Sequence, residues 1–300
     1  TAGDPMSGLK WTHRTTEKIA AQLRSLKINV SPRTVAKLLI EMGFSLRVNH
    51  KKLSSGSPER RDEQFTKIAE LRERFAAAGS PVISVDTKKK EMVGHFKNPG
   101  VAWCREPIAV KDHDFRSEAD GMAIPYGVYD VHANRGTLFI GMSYDTPQFA
   151  VESIERWWRS EGKKRYPDSP KLAILADGGG SNGARCRAWK VGLQRELCDH
   201  HQLTATVAHY PPGTSKWNPI EHRLFSEISK KWAGRPLDSY EAILNYIRAT
   251  QTSTGLRVRA SLVRKRYTKG IKITDCEMMK LSLEKHDPLP MWIYTLQPRS

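Results

Sequence analysis

The chain has 300 residues and a formal net charge of +17, which comes from 49 Lys and Arg residues against 32 Asp and Glu residues. No run of about 18 apolar residues occurs in it, which excludes a membrane-spanning helix. So large a basic excess points to a polyanionic partner, most commonly nucleic acid, and the length predicts about two domains.

The start of the chain and its cysteines bear on where the protein works. It begins at Thr1 in mid-pattern and without Met, so we expect an upstream part. No signal peptide opens it, which predicts a cytoplasmic protein. Few, widely spaced cysteines are typical of reduced thiols in the cytosol. They are Cys104, Cys186, Cys198 and Cys276.

Residues 12–46 predict two short helices. One of two consecutive threonines beginning at Thr15 is a suitable N-cap for the first helix. Ser31 followed by Pro32 is a stronger start signal for the second. Gly43 is a good residue to end it.

These helices, within residues 1–49, resemble a helix-turn-helix DNA-binding domain, in which the second helix enters the major groove. Arg33 and Lys37 on the second helix are its candidate DNA contacts. An ordinary helical hairpin has the same pattern, and the pattern alone does not separate the two. The basic charge of the chain favours DNA binding.

Residues 50–80 are expected to form a linker and a helix. Residues 50–62 are polar and contain Gly and Pro, which is typical of a linker. Apolar side chains then recur at helical spacing from Phe65 to Phe75, and the helix is expected to end at Gly79.

Residues 81–235 have a mixed α/β pattern. Three early strands precede alternating helices and strands, an order similar to the ribonuclease H-like fold, with a mixed five-stranded sheet flanked by helices. The small all-α domain would precede it. The predicted strands lie at 82–86, 126–131, 137–141, 172–177 and 204–208, with helices that begin near Thr146, Arg185 and Glu221.

Three acidic residues occur where such a sheet places its ligands. Asp86 and Asp177 each end a short apolar run, and the carboxyl ends of buried strands lie at the ligand-binding edge of an open α/β sheet. Glu221 opens an amphipathic helix. Three converging carboxylates would bind Mg²⁺ or Mn²⁺, which prefer oxygen ligands. Two such ions can activate water and stabilise the leaving oxygen in phosphodiester cleavage.

Each acid also has a purely structural explanation. An Asp after a strand often only forms a turn, and Glu221 fits a capping box that Asn218 begins. Glu221 nevertheless shares a stripe with apolar residues, where a carboxylate is costly unless it is paired or bound to metal. Glu227, off that stripe, is expected to be solvated, and Asp130 in the second strand is a decoy.

Basic and aromatic residues near the acids are candidate DNA contacts. Lys88, Lys89 and Lys90 follow the first acid and can grip phosphates there, although most lysine runs are only solvated faces. Lys216 precedes Trp217, which either stacks on a base or packs the loop.

Two further motifs are less informative. Gly178 to Gly180 lack the Gly-Lys-Ser/Thr ending of a P-loop, and they either let a nucleic-acid backbone approach or form a tight turn. Cys198 to His201 contain ligand types for zinc, but the spacing is poor and no second Cys pair exists, which argues against a zinc site.

Residues 236–300 are expected to be a basic extension beside the catalytic domain. A helix is predicted near residues 239–250, and a strongly basic segment follows it. Arg264, Lys265 and Arg266 in that segment are further candidate DNA contacts.

Three long stretches resemble a known family. They are Val82 to Glu91, Ala176 to Gly183 and Pro211 to Phe225, and they are similar to the Rhodopirellula-type DDE transposases of bacterial insertion sequences. The Asn-Pro-Ile-Glu stretch at 218–221 is also similar to the third-acid region of mariner-like transposases. The resemblance covers nearly the whole chain, and three motifs in this order are specific.

The resemblance implies a ribonuclease H-like domain with Asp86, Asp177 and Glu221 as the metal-binding triad. It also implies metal-dependent cleavage at the terminal inverted repeats of an element, strand transfer into target DNA, a homo-oligomer on double-stranded DNA and a bacterial, nucleoid-associated location. Two alternatives stay open: a ribonuclease H-like nuclease without strand transfer, and a repressor with a decayed catalytic centre. The candidate helix-turn-helix argues against the first and the presence of all three acids against the second.

Overall fold

A computed structural model of the chain describes residues 2–3, 10–12, 14–46 and 60–299. The chain divides into two compact units, one up to residue 54 and one from residue 55 onward. Most of the predicted linker, residues 50–59, lies outside the described residues. None of the described helices is long and apolar enough to cross a membrane.

The first unit contains the two predicted helices. α1 (Thr16–Ser25) begins after Thr15, whose side chain accepts a hydrogen bond from the backbone N–H of Lys18. α2 (Pro32–Glu41) begins after Ser31, which caps it in the same way. The hydroxyl caps and the proline therefore start both helices as predicted. Ahead of them, β1 (Ala2–Gly3) pairs antiparallel with β2 (Lys10–Trp11).

In the second unit, nine strands of residues 60–299 form one mixed sheet. They are β3 (Val82–Thr87), β4 (Glu91–Val93), β5 (Gly121–Asp130), β6 (Arg135–Gly141), β7 (Lys171–Ala176), β8 (Thr204–His209), β9 (Arg257–Val263), β10 (Leu283–Lys285) and β11 (Ile293–Leu296). The order across the sheet is β10-β11-β8-β7-β3-β5-β6-β9, and β4 pairs with β5. β7 runs parallel to β3 and β8 parallel to β7, whereas β5 is antiparallel to both β3 and β6. The run β6-β5-β3-β7-β8 confirms the predicted ribonuclease H-like fold class.

Helices cover both faces of this sheet. They are α3 (Arg61–Ala77), α4 (Pro147–Trp157), α5 (Lys163–Arg165), α6 (Arg187–Gly192), α7 (Ser226–Lys231), α8 (Tyr240–Arg248) and α9 (Asp275–Met279). π-helical turns extend three of them, at Trp158–Gly162 after α4, at Leu193–Asp199 after α6 and at Glu221–Phe225 before α7. α4 and α6 pack on one face, and α3, α7 and α8 pack on the other. β3 is thus covered on both faces, which explains its apolar run.

The sheet is larger than the five strands predicted from the sequence. The segment after residue 236 contributes β9, β10 and β11 to the same sheet, and β9 pairs parallel with β6. In β9 the arginines alternate with buried side chains, so that Arg257 and Arg259 are exposed while Val258 and Ala260 are buried. The alternation of exposed and buried residues is the pattern of a half-buried strand. It was not recognised in the sequence because so many residues of this segment are arginines.

Gly127 on β5 brings the helix that carries Glu221 close to the sheet. It stands opposite Asp86 in the antiparallel register. A Cβ atom at this position would lie 2.7 Å from Phe225 Cε1 and 2.8 Å from Ile220 Cδ1. The missing side chain therefore lets these two residues pack directly on the strand beside the first acid.

We expect Gly127→Ala to lower the free energy of unfolding by about 1–3 kcal/mol, because the added methyl group overpacks this contact. Urea unfolding would measure the change. Gly179→Ala is the matched control, since a Cβ atom there meets nothing within 4 Å and should change stability by less than about 0.5 kcal/mol. Equal stability of the two variants would contradict the packing described.

Candidate metal and nucleic-acid site

A cleft of about 460 Å³ opens at the carboxyl ends of β3 and β7. Two of the three predicted acids, Asp86 and Asp177, line it together with Asp145. Its other walls are Thr87, residues 178–181, residues 211–213 and Ser215. We call this the acid cleft. The parallel pairing of β3 with β7 brings the two acids to one edge of the sheet, because the strands end side by side.

The carboxylates of the acid cleft repel one another. Burial raises the pKa of Asp86 to about 8, with further contributions from the negative charges of Asp177, Glu221 and Asp145. The pKa of Glu221 is also raised, first by burial and then by Asp177, while the positive charge of Lys88 opposes the rise. The structure therefore brings Asp86, Asp177 and Glu221 within electrostatic range of each other.

Asn218 joins the segments that carry the three acids. Its Nδ2 donates a hydrogen bond to Asp177 Oδ1 at 3.0 Å, and its Oδ1 accepts one from the hydroxyl of Ser84 on β3. The backbone N–H of Ile220 donates to the same hydroxyl at 3.0 Å. The Asn218 side chain is therefore turned to the neighbouring strands, and it does not form the capping box that the sequence allows with Glu221.

The buried His209 holds Asp177 from the other side. Its Nδ1 lies 3.0 Å from the backbone carbonyl oxygen of Asp177, and since that oxygen can only accept, Nδ1 carries the proton. Burial lowers the pKa of His209 to about 4, so the ring is neutral near pH 7. Sequence reasoning missed Ser84, His209 and the role of Asn218. Their signal was a polar residue inside or beside an apolar run.

Asp145 is a fourth acid of the cleft that sequence reasoning also missed. It lies four residues beyond the end of β6 and directly before Thr146, the N-cap of α4, so it does not end an apolar run as the other two aspartates do. Its Oδ1 accepts a hydrogen bond from Thr87 Oγ1 at 3.1 Å. Its Oδ2 lies 3.7 Å from Lys90 Nζ.

The three predicted lysines after Asp86 separate into two kinds. Lys88 is buried, forms an ion pair of 3.0 Å with Glu91, and its ammonium nitrogen lies 4.6 Å from the ring centre of Trp232. Lys89 and Lys90 are exposed. The structure therefore leaves two lysines open to solvent at the cleft and places Lys88 beneath them, near Glu221.

Lys216 and Trp217 are exposed and directly follow Ser215, a wall of the acid cleft. The Lys216 ammonium nitrogen lies 5.3 Å from the centre of the Trp217 ring. The rings of Trp217 and Phe65 of α3 meet edge to face, with ring centres 6.1 Å apart. Trp217 is 54% exposed, so part of its ring surface is accessible to a stacking partner.

The other predicted DNA contacts are also exposed side chains. Arg264, Lys265 and Arg266 are exposed after β9, and Lys265 Nζ pairs with Glu152 at 2.6 Å. In the first unit, Arg33 and Lys37 are exposed on α2. Lys37 makes a 3.8 Å ion pair with Glu41, which is also exposed.

The decoy acids and the cysteine motif have structural partners. Asp130 is fully buried and binds Arg165 at 2.7 Å and the hydroxyl of Tyr166, whereas Glu227 pairs with Lys230 near the surface. Burial raises the pKa of the Cys198 thiol to about 12, which makes it a poor metal ligand. All four cysteines are free.

The acids of the cleft suit a divalent cation by their chemistry. Carboxylate oxygens are the ligands that Mg²⁺ and Mn²⁺ prefer. The repulsion among the carboxylates, which adds to burial in raising the pKa of Asp86, is relieved when a cation lies between the charges. Among residues 2–3, 10–12, 14–46 and 60–299, no three His, Cys, Asp or Glu side chains already form a metal cage. The residues therefore fit the ion by donor type and charge.

Comparison with known proteins defines the class. The family described as the Rhodopirellula transposase DDE domain matches residues 1–298. The chain belongs to this transposase family, which confirms the resemblance of its three motifs. No curated protein matches it.

The chain is also similar to solved structures of Mos1 transposase. The paired-end complex with the left transposon end and the pre-cleavage transpososome each have 16% sequence identity and a TM-score of 0.46. A paired-end complex with Mg has 17% identity and a TM-score of 0.43. Each alignment covers 78% of this chain and 65% of the Mos1 chain, so the chain spans about two thirds of the length of these neighbours.

Without added metal, Asp86→Asn should become more stable than the parent protein as the pH rises. The pKa of Asp86 is raised to about 8 in the folded chain from an ordinary value of 3.8. The folded state therefore keeps a proton that the unfolded chain has released, and stability from this group is lost as pH rises from 3.8 through about 8. Asparagine has no proton to lose.

Urea unfolding with a chelator, at pH values from 4 to 9, checks this expectation. The stability difference should shift in favour of Asp86→Asn by on the order of 3 kcal/mol across this range. Asp168→Asn, which removes an exposed carboxylate, serves as the control. A constant difference for Asp86→Asn across this pH range would mean that the cleft does not concentrate negative charge.

Proposed function

We propose that this chain is a DDE transposase that cleaves DNA strands at the ends of its element and joins them to target DNA. One observation supports the proposal: Asp86 and Asp177 line the acid cleft, and the Asn218 hydrogen bonds to Asp177 and Ser84 tie the segment that carries Glu221 to both strands. Buried carboxylates that repel one another lower the stability of a fold, so their presence together favours a functional role.

We assign the reaction two steps. In the first step, water attacks the phosphorus of a phosphodiester. The bond between phosphorus and the 3′ oxygen breaks, and a free 3′-hydroxyl is left. In the second, that hydroxyl attacks a target phosphodiester in line, so that one bond forms as another breaks and the number of phosphodiesters is conserved. Neither step needs a Ser or Tyr nucleophile from the protein.

Asp86, Asp177 and Glu221 would hold the divalent ions, with two Mg²⁺ or Mn²⁺ expected. When bound, such ions activate the attacking oxygen and stabilise the leaving one. Asn218 fixes the rotamer of Asp177, and its backbone carbonyl accepts from the N–H of Glu221. Lys88 offsets the charge of Glu221 from beneath. Each of these residues acts on the position or charge of a carboxylate before DNA arrives.

The walls of the acid cleft suit a nucleic-acid backbone. A Cβ atom at Gly179 or Gly180 would meet nothing within 4 Å, so the loop after Asp177 leaves room for a phosphate to approach the carboxylates. Lys89, Lys90 and Lys216 supply positive charge at the rim, and Trp217 offers a ring for stacking. The substrate class that fits is double-stranded DNA, namely terminal inverted repeats and a target.

We further propose that the organisation predicted from the sequence serves this reaction. Residues 1–49 would read the element end, residues 50–80 connect, residues 81–235 perform the chemistry and residues 236–300 add basic surface. Pairing of two element ends requires a homo-oligomer on DNA. The work would take place at the bacterial nucleoid.

Asp86→Asn, Asp177→Asn and Glu221→Gln should each reduce Mg²⁺-dependent nicking of element-end DNA by about 10³-fold or more, because each removes a metal ligand worth several kcal/mol. Gel separation of a labelled duplex measures nicking. DNA binding should persist in all three, which separates loss of chemistry from loss of fold.

Glu227→Gln is the control, since this carboxylate lies six residues beyond Glu221 and pairs with Lys230 at 2.6 Å. It should nick at the parent rate. Nicking that survives in Asp86→Asn would show that the site is misassigned. Nicking without joining of the 3′-hydroxyl to a target would favour the nuclease alternative.

The double variant Arg33→Gln, Lys37→Gln tests the first unit. It should lower the ratio of affinities for element-end and scrambled duplexes by about tenfold or more, because each base contact contributes about 1–3 kcal/mol of discrimination. Fluorescence anisotropy measures both affinities at one salt concentration.

The control for this variant removes the same charge from α1, with Lys18→Gln and Arg24→Gln. Contacts to phosphate carry no sequence information, so this control should weaken both duplexes alike and leave the ratio unchanged. Two variants with the same ratio would favour the helical hairpin over the helix-turn-helix.

A further inference from the structure

A second cleft, of about 580 Å³, lies at the start of the edge strand β9. Five arginines line it and only one carboxylate, Glu161, does so. We call it the arginine cleft. Its arginines are Arg135 on β6, Arg165 on α5, Arg248 on α8, and Arg257 and Arg259 on β9.

The arginine cleft is separate from the acid cleft. In the sheet register, Arg135 on β6 is the backbone partner of Asp130 on β5. Asp130 is in turn the backbone partner of Ile83 on β3, three residues before Asp86. β9 lies three strands from β3. These steps correspond to about 10 Å along the strands and about 14 Å across them. The side chains of Arg135 and Asp86 also point to opposite sides of the sheet, because they occupy positions of opposite parity in the register.

Two of the five arginines have structural tasks. Arg165 binds the buried Asp130 at 2.7 Å and Glu161 at 3.4 Å. The guanidinium of Arg248 donates two hydrogen bonds to the backbone carbonyl of Ala260, at 3.1 and 3.2 Å. These contacts fix two walls of the cleft and orient their guanidinium groups.

The other three arginines are much less neutralised. Arg259 lies 3.9 Å from Glu161, whose Oε1 also accepts a hydrogen bond from Thr137 at 2.7 Å. Arg135 and Arg257 have no acidic partner within 4.0 Å among the described residues. Their positive charges are thus free to bind an anion.

The register places two free arginines side by side. Arg135 on β6 and Arg257 on β9 are direct partners in the parallel pairing, where like charges on adjacent strands are destabilising. An edge strand with alternating arginines does discourage pairing with another chain. That explanation accounts for Arg257 and Arg259 alone, and not for arginines that approach from α5, α8 and β6.

We propose that the arginine cleft binds the phosphate backbone of duplex DNA, at a stretch distinct from the one held at the acid cleft. The forked donors of arginine match phosphate oxygens two at a time, and an anion between Arg135 and Arg257 removes their repulsion. The proposal rests on the proposed function in so far as DNA is taken as the polyanion. It adds a second surface, at the edge of the sheet that β9 forms.

The salt dependence of DNA binding tests it. The full chain and the double variant Arg135→Gln, Arg257→Gln are titrated with a random-sequence duplex of about 30 base pairs at several KCl concentrations, without divalent metal. Each lost phosphate contact lowers the slope of log Kobs against log[KCl] by about 0.9, so we expect the variant's slope to be smaller by about 2. Neither arginine has an acidic partner and the two charges repel each other, so the unfolding temperature should be equal to or above that of the parent.

The control removes two charges that are already paired, with Lys67→Gln and Lys230→Gln, which lie 2.9 Å from Glu70 and 2.6 Å from Glu227. Its slope should stay within 0.5 of the parent, as a rough allowance for the 0.9 per contact. A second variant, Arg257→Gln with Arg259→Gln, should again lower the slope by about 2 and guards against a folding defect in the first.

The outcomes separate this proposal from the proposed function. If the parent binds duplex and both arginine variants show the parent's salt slope, only the proposal for the arginine cleft is overturned. The arginines would then serve to protect the edge strand. Equal losses in the arginine variants and the lysine control also overturn it. A lowered slope together with unimpaired nicking in Asp86→Asn supports the cleft and overturns the catalytic assignment. A chain that binds no duplex overturns both.

Discussion

The concentration of negative charge at the carboxyl ends of β3 and β7 is the constraint on which the rest of the site depends. Burial makes it expensive, and the raised pKa of Asp86 reflects that cost. The fold tolerates it through a small set of fixed contacts. Asn218 donates to Asp177, Lys88 sits beneath Glu221, and the neutral His209 bonds the Asp177 carbonyl. Such contacts hold the carboxylates in place without neutralising them, as a cation site requires.

The basic excess of the chain and the carboxylates of the acid cleft have opposite effects on a DNA phosphate. A polyanion is attracted by the excess positive charge, but a phosphate cannot approach bare carboxylates without repulsion. A divalent cation resolves this conflict because it binds both. The exposed lysines at the rim of the acid cleft and the arginine cleft at the edge strand β9 would then hold DNA by its backbone, while the acids at the centre bind the metal.

Much of the fold followed from local rules, and the failures have physical causes. Hydroxyl caps at Thr15 and Ser31 placed two helices, and the apolar run before Asp86 placed the central strand. β9 was missed because its arginines outweighed the alternation of buried Val258 and Ala260. Propensity and periodicity are properties of single segments, so neither could assign β9 as the partner of β6, a pairing set by tertiary packing.

Some residues of the candidate site could likewise be predicted from the sequence, and others could not. The ends of apolar runs selected Asp86 and Asp177, whereas Asp145 was missed because it lies four residues beyond the end of β6. The link from Asn218 to Ser84 joins residues 134 positions apart, and no pattern within either segment encodes it. The burial of Lys88 was likewise hidden, because a run of three lysines is normally solvated, whereas here Trp232 covers the first of them.

The most direct test of the central claim is anomalous diffraction from a crystal of the chain soaked in Mn²⁺. We expect manganese in contact with the carboxylates of Asp86, Asp177 and Glu221, and loss of that peak in Asp86→Asn crystals. Manganese bound elsewhere, with no peak at these three carboxylates at saturating concentration and in the presence of element-end DNA, would contradict it.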